Sequence, residues 1–109
     1  MASVKFFIDH RGKNPVGDFL DQDKKVKLKT IIILKHITEF GLTSVIPHIK
    51  KLSGLPLWEI RILGKNKIRI LYAHQSKQDI ILLHAFKKQT QKTPIKEINI
   101  ALKRLRQLS

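Results

Sequence analysis

The chain has 109 residues, and its 22 lysines and arginines outnumber its 8 aspartates and glutamates, giving a formal net charge of +14. The length predicts a single domain over residues 1–109. The charge predicts attraction to polyanions. Nucleic acid is the favoured partner class and an acidic protein segment the second, and a well-solvated basic surface without a polyanion partner is the alternative. The absence of cysteine excludes disulfides and thiolate metal sites. No signal-peptide pattern or long apolar stretch is present, so we expect a cytoplasmic protein with no membrane partner.

The N-terminal part predicts a strand followed by two helices. Residues 4–10 are rich in β-forming residues, and Asn14 with Pro15 is typical of a helix start. A second helix is predicted over residues 23–40, ending before Gly41, which suits a helix C-terminus. Its isoleucine run favours a strand as the alternative, but its length favours a helix. The helical stripe consists of Val26, Ile33, Ile37 and Phe40. The two helices together form a predicted hairpin.

The C-terminal part predicts an antiparallel sheet and a last helix. A short edge strand within residues 46–52 precedes three strands over residues 57–63, 67–74 and 79–86, the last of which we expect to be central. Thr93 fits the N-cap of the final helix and Pro94 its first position. The fold class is therefore α+β.

Alternation along the two strands of the first hairpin separates apolar from charged side chains. One face carries Trp58, Ile60, Ile62, Ile68 and Ile70, and the other carries Glu59, Arg61, Lys67 and Arg69. Because side chains alternate between the two faces of a sheet, the first set is the predicted core. The arginines on neighbouring strands indicate an anion site. The alternative is an ordinary solvent-facing pair that neutralises Glu59.

The residue types restrict the chemistry available to such a site. The five histidines lack metal-ligand spacing and the acids are few, so we expect no metal and no cofactor. RNA can supply its own nucleophile, the ribose 2′-hydroxyl, and an arginine fork suits a phosphate. Lys87, Lys88 and Lys92 add positive charge, and plain surface charge is the alternative for them. We expect His84 to be a satisfied buried histidine, and Tyr72 to belong to the core or the site rim.

Three segments carry a resemblance to a known family. They are LWEIR at residues 57–61, IRILY at 68–72 and ILLHAFKKQTQKTP at 81–94, continued by Glu97, Ile98, Ala101 and Arg104. As a set they resemble the RelE/HigB toxin superfamily, and more closely its phage-derived, HigB-like branch. The resemblance implies a RelE-like fold with an N-terminal strand and helical hairpin, an antiparallel sheet and a C-terminal helix.

The resemblance also implies a function and partners. It implies a type II toxin that cleaves mRNA on the ribosome without a metal. Its partner would be a cognate helix-turn-helix antitoxin, through which alone it would contact operator DNA. The implied catalytic residues are Arg61, Arg69, Lys87 and Lys88, and the RNA-binding residues are Lys50, Lys51, Gln91 and Lys92. The alternatives are a non-catalytic nucleic-acid-binding module and a phage-derived protein that has lost cleavage.

Overall fold

A computed structural model of the chain describes residues 3–62, 64 and 67–108, and it has the predicted α+β fold. The strands are β1 (Ser3–Phe6), β2 (Ile49–Lys51), β3 (Trp58–Ile62), β4 (Ile68–His74) and β5 (Asp79–Lys87). The helices are α1 (Pro15–Leu20), α2 (Lys24–Phe40) and α3 (Ile95–Arg106), with 3₁₀ turns over Leu42–His48. The predicted turn at residues 64–66 lies mostly outside the described residues.

The five strands form one sheet in the order β1-β5-β4-β3-β2. Strands β2 to β5 are antiparallel, as predicted, and β1 adds a parallel edge by pairing with β5. The central strand is β4. The expectation that β5 is central was wrong. Strand β5 lies between β1 and β4, one place from the edge, and its apolar side chains are explained by the two core clusters that it joins on both faces of the sheet. The first strand also ends at Phe6, four residues earlier than predicted.

Both faces of the sheet are covered, each by different helices. Helices α1 and α2 pack on the face that carries Ile60, Ile70 and Tyr72. On the opposite face, α3 packs through Ala101 on a second apolar cluster. That cluster contains Phe7, Leu52, Leu57, Leu71, Ala73, Ile81, Leu83 and Phe86. The second core cluster was not predicted. Helix α3 covers only part of its face, and the arginine pair lies on the same face.

The helix ends follow from local hydrogen bonds. The side chain of Asn14 accepts from the backbone N–H of Gly17 at 2.9 Å, and Asp23 caps α2. Gly41 ends α2 with φ +86°, a conformation that glycine adopts without a steric penalty. The strand alternative for the isoleucine run was therefore wrong. Among the described residues, no helix is both long and apolar enough to cross a lipid bilayer.

The start of α3 differs from its prediction. Pro94 occupies the N-cap position, and no side chain caps the helix there. The hydroxyl of Thr93 instead donates to Glu59 Oε2 at 2.6 Å. The N-cap prediction for Thr93 was wrong because a buried carboxylate on the sheet takes its hydroxyl hydrogen.

Candidate functional site

Two arginines face each other on the partly uncovered face of the sheet. Arg61 on β3 is directly opposite Arg69 on β4 in the antiparallel register. Directly opposed residues have Cβ atoms about 4.5–5.5 Å apart, and like charges at this spacing repel. Both side chains are partly buried, which weakens the screening of that repulsion by solvent. An anion bound between the two guanidinium groups would relieve it.

The arginines lie in a shallow concavity of about 370 Å³, which we call the basic concavity. Its lining residues are Lys50, Glu59, Arg61, Lys67, Arg69, Lys88, Gln89, Thr90 and Gln91. Five of these side chains are cationic and one is a carboxylate. Converging cations in a concave surface concentrate positive potential, so the basic concavity is suited to a polyanion.

Glu59 is the one carboxylate of the basic concavity, and it is fully buried. Its Oε1 lies 3.0 Å from Arg69 Nε and 3.8 Å from Lys88 Nζ. Neither Oε1 nor the Arg69 Nε has an aligned hydrogen-bond partner, so the Arg69 contact is an ion pair without hydrogen-bond geometry. Oε2 accepts the Thr93 hydroxyl. Glu59 therefore holds three side chains in place: Arg69 on β4, Lys88 after β5 and Thr93 just before α3.

Arg61 has a different environment from Arg69. Within the described part of the chain, no carboxylate lies within ion-pair distance of Arg61. Its Nε is buried and has no hydrogen-bond partner there. Arg69, in contrast, also donates from Nη1 to the Ile68 carbonyl oxygen at 3.0 Å. The alternative of an arginine pair neutralised by Glu59 thus describes Arg69 but not Arg61.

The segment after β5 completes the basic concavity. The backbone N–H of Lys88 donates to the Lys67 carbonyl oxygen at 2.9 Å, which ties this segment to the start of β4. The Lys88 residue is only 8% exposed. A lysine so deeply buried needs a compensating charge, and Glu59 provides it. Lys88 therefore belongs to the floor of the site.

A β-bulge decides which of two successive lysines reaches the site. Leu71 is opposite His84, whereas Tyr72 is opposite Leu82, so Leu83 is an extra residue in β5. After the bulge, Phe86 shares the face of Arg69, and Lys87 shares that of Ile68 on the α2 side. Without the bulge, alternation would place Lys87 on the arginine face. The bulge therefore selects Lys88.

Several predicted site residues lie outside the basic concavity. Lys87 is exposed and does not line it. Lys51 places its Nζ 5.4 Å from the centre of the Trp58 ring, on the α2 side of the sheet. Lys92 is exposed in the loop before α3 and is not a lining residue. The structure does bring together Arg61, Arg69, Lys88, Lys50 and Gln91.

Sequence reasoning left out four lining residues: Glu59, Lys67, Gln89 and Thr90. For Glu59 and Lys67 the signal was present, because alternation put both on the arginine face. Gln89 and Thr90 follow the last strand, where alternation no longer applies. Tyr72 is 1% exposed and packs with the α1 and α2 side chains, so it is a core residue.

A second polar cluster joins α3 to β5 beside the basic concavity. His84 Nε2 lies 2.9 Å from Glu97 Oε1, and Arg104 Nη1 lies 3.2 Å from His84 Nδ1. Arg104 Nη1 also donates to the Leu83 carbonyl oxygen at 2.8 Å. Because Arg104 can only donate hydrogen bonds, His84 Nδ1 is the acceptor of the Arg104 bond. His84 Nε2 therefore carries the ring hydrogen and donates a hydrogen bond to Glu97. His84 is thus the satisfied, largely buried histidine that the sequence predicted.

The pKa of His84 reflects this environment. Burial lowers the pKa below its ordinary value of 6.5, the bond to Glu97 opposes this, and the charge of Arg104 adds to the lowering. Burial also lowers the pKa of Arg104.

His48 is a separate case, with Nδ1 3.3 Å from the Arg61 carbonyl oxygen. In the described part of the chain, no three histidine, aspartate or glutamate side chains are grouped as the ligands of one metal ion.

A family model described as "Phage derived protein Gp49-like (DUF891)" matches residues 17–106. The matched region includes α2, the sheet from β2 to β5, the basic concavity and all of α3. No curated protein matches the chain significantly.

Proposed function

Because the chain belongs to the family of phage-derived Gp49-like proteins, we propose that it is the toxin of a type II toxin–antitoxin pair. This family is toxin-like and related to RelE/HigB proteins. We propose further that the protein is an endoribonuclease of the RelE/HigB kind, which cleaves mRNA on the ribosome. Its partner is then a cognate helix-turn-helix antitoxin, and operator DNA is contacted only through that antitoxin. The proposed site of action is the cytoplasm.

The observation that carries this proposal is the opposed pair of Arg61 and Arg69 in the basic concavity. When a phosphodiester is cleaved, its phosphate oxygens carry more negative charge in the transition state than in the ground state. Guanidinium groups fixed around it stabilise that added charge more than they stabilise the substrate, and this difference is what accelerates a reaction. Arg69 is fixed by Glu59, and the buried Nε of Arg61 has no hydrogen-bond partner among the described residues.

RNA supplies the remaining chemistry in this proposal. The ribose 2′-oxygen attacks the adjacent phosphorus and loses its proton, and the bond from phosphorus to the 5′-oxygen breaks as that oxygen gains a proton. The products are a 2′,3′-cyclic phosphate and a 5′-hydroxyl. Arg61, Arg69 and Lys88 hold the phosphate in place, and the alignment of the attacking oxygen provides a large part of the acceleration. Lys50 and Gln91 contact the neighbouring RNA backbone at the rim.

A cellular experiment tests the proposal. The protein is induced in growing cells and mRNA 5′ ends are mapped, beside an Arg61→Ala variant and an exposed control, Lys77→Ala. We expect growth arrest and new 5′ ends inside coding regions for the wild type and the control, and neither for Arg61→Ala. Growth and transcripts unaffected by the wild type would overturn the nuclease function. RNA binding without new ends would support a binding module.

A further inference from the structure

Three apolar side chains of α2 point away from the protein. Leu28, Ile31 and Ile32 are 62%, 47% and 58% exposed, whereas Val26, Ile33 and other residues of the opposite side are buried. Residues three and four apart are neighbours on a helix surface, with Cβ atoms about 5–6 Å apart. The three therefore form one continuous surface, which we call the α2 patch. Scattered exposed apolar residues are ordinary, but a contiguous set indicates contact with another molecule.

Nothing within the described chain gives these side chains a stabilising role. About half of each side chain remains exposed, and isoleucine is a weaker helix former than lysine, glutamate or alanine. Polar helix formers at the same three positions would remove the exposed apolar surface while favouring the helix. A partner that covers the α2 patch would give the three side chains the burial that they lack.

The charges around the α2 patch define the partner. Lys24, Lys25 and Lys35 are exposed beside it, and among the described residues none of them has a carboxylate within ion-pair distance. Lys24 and Lys25 also lie in the first turn of α2, next to the Asp23 cap, whose carboxylate offsets part of the positive end of the helix dipole. The two lysines add positive charge to that end, and a partner's carboxylates would reduce this cost.

A second copy of the chain does not fit the α2 patch. Two copies packed through it would bring their lysines together, and each chain carries a net charge of +14. An added strand does not fit either, because a helix surface has no free backbone donors for strand pairing. A helix with an apolar stripe can pack its side-chain ridges into the grooves of α2.

We infer that the α2 patch is the docking surface for an acidic amphipathic helix of a partner protein. Its apolar stripe covers Leu28, Ile31 and Ile32, and its glutamates or aspartates face Lys24, Lys25 and Lys35. The antitoxin proposed above is the partner we expect to carry this helix, and that assignment alone rests on the proposed function. The α2 patch and the basic concavity are on opposite faces of the sheet. A helix on the patch therefore leaves the arginine pair uncovered.

A designed peptide tests the docking surface on the full chain. The probe is a fluorescent helical peptide with leucines at every third and fourth position and glutamates on both sides of that stripe. A peptide of the same composition, with its leucines scattered around the helix, is the reference. The variants are Leu28→Gln with Ile32→Gln, and Lys24→Gln with Lys25→Gln. Ile95→Gln is the matched control, since Ile95 is 73% exposed at the start of α3. Circular dichroism checks that each variant is folded.

We expect the apolar double variant to bind the striped peptide at least about tenfold more weakly than the wild type, a loss of about 1.4 kcal/mol. The lysine variant should bind more weakly with a smaller salt dependence, and Ile95→Gln should bind like the wild type. Equal binding by all variants would overturn the inference, as would equal binding of the two peptides. Self-association of the wild type that is lost in Leu28→Gln with Ile32→Gln would instead assign the α2 patch to a second copy.

The peptide assay contains no RNA, so it is independent of the proposed nuclease. Peptide binding by a chain that cleaves no mRNA would support the docking surface and overturn the nuclease function. Cleavage of mRNA by a chain that binds both peptides equally would support the nuclease function and overturn the docking surface.

Discussion

Glu59 Oε1 lies 3.0 Å from Arg69 Nε at the floor of the basic concavity, and the Glu59 side chain is completely buried. The contact fixes one arginine of the opposed pair through the sheet itself. Arg61 has no such anchor among the described residues. The two arginines therefore differ in what their removal does to the protein. Removing Arg69 also takes away an ion-pair partner of the buried Glu59 carboxylate, whereas removing Arg61 does not. Arg61 is therefore the cleaner position at which to test the chemistry.

Glu59→Gln should destabilise the protein strongly. The change removes the charge that compensates Arg69 and Lys88, and breaking a buried ion pair costs about 3–5 kcal/mol. Urea denaturation followed by circular dichroism measures the loss. Glu39→Gln is the matched control, because Glu39 is exposed on α2, and it should unfold like the wild type. A Glu59→Gln protein as stable as this control would show that Glu59 does not hold the site together.

Lys50 and Lys51 should contribute differently to RNA binding. They are successive residues of β2, but Lys50 lines the basic concavity, whereas Lys51 lies over Trp58 on the other side of the sheet. Binding of a single-stranded RNA oligonucleotide is measured against salt concentration. Lys50→Ala should make the negative slope of log K against log salt shallower by about 0.7, the value for one phosphate contact on a single strand. Lys51→Ala should leave the slope unchanged, and identical slopes for the two variants would contradict the placement.

Thr93→Val should destabilise the protein by about 1–3 kcal/mol, since it leaves a buried carboxylate oxygen of Glu59 without its donor. Valine preserves the shape of the threonine side chain, so the hydroxyl is the main change. Thermal and urea unfolding measure the effect. Thr43→Val, at an exposed position in the 3₁₀ turns, should change stability little. Equal stabilities of the two variants would mean that Glu59 does not need the hydroxyl.

The His84 cluster should make stability fall at acid pH. Because burial lowers the pKa of His84 in the folded state, the unfolded chain binds its proton first as pH decreases. The free energy of unfolding should therefore decrease as pH falls below about 6.5, the ordinary histidine value, towards the lowered folded value. The free energy of unfolding of the His84→Gln variant should decrease less over the same pH range. Denaturation curves at pH 7.5 and at lower pH compare the two, and equal decreases would exclude His84 as the cause.

Much of the fold and the charged face of the site followed from pattern. Alternation placed Arg61, Arg69 and Glu59 together, and the Asn14 cap and Gly41 marked the start of α1 and the end of α2. These features are local, so the sequence contains them. The second core cluster under α3 requires a long-range packing arrangement, and single-residue spacing does not reveal it.

The remaining misses have tertiary causes. The bulge at Leu83 reverses the alternation of β5 and so selects Lys88 over Lys87. The Thr93 hydroxyl binds a carboxylate 34 positions away, which competes with the local cap. The orientation of α2 likewise decides that Phe40, which the predicted apolar stripe included, is 63% exposed. Each outcome depends on which element packs beside a residue.

The opposed arginines are proposed to stabilise a scissile RNA phosphate. The most direct measurement is the single-turnover rate at which the purified protein cleaves a ribosome-bound mRNA, with and without Arg61→Ala. Removing one preorganised donor to a transition-state anion costs about 10²–10³ in rate. We expect Arg61→Ala to lose rate by this factor while remaining as stable as the wild type, and the wild-type products to carry 2′,3′-cyclic phosphate ends. A folded Arg61→Ala protein that cleaves at the wild-type rate would contradict this role of the arginines.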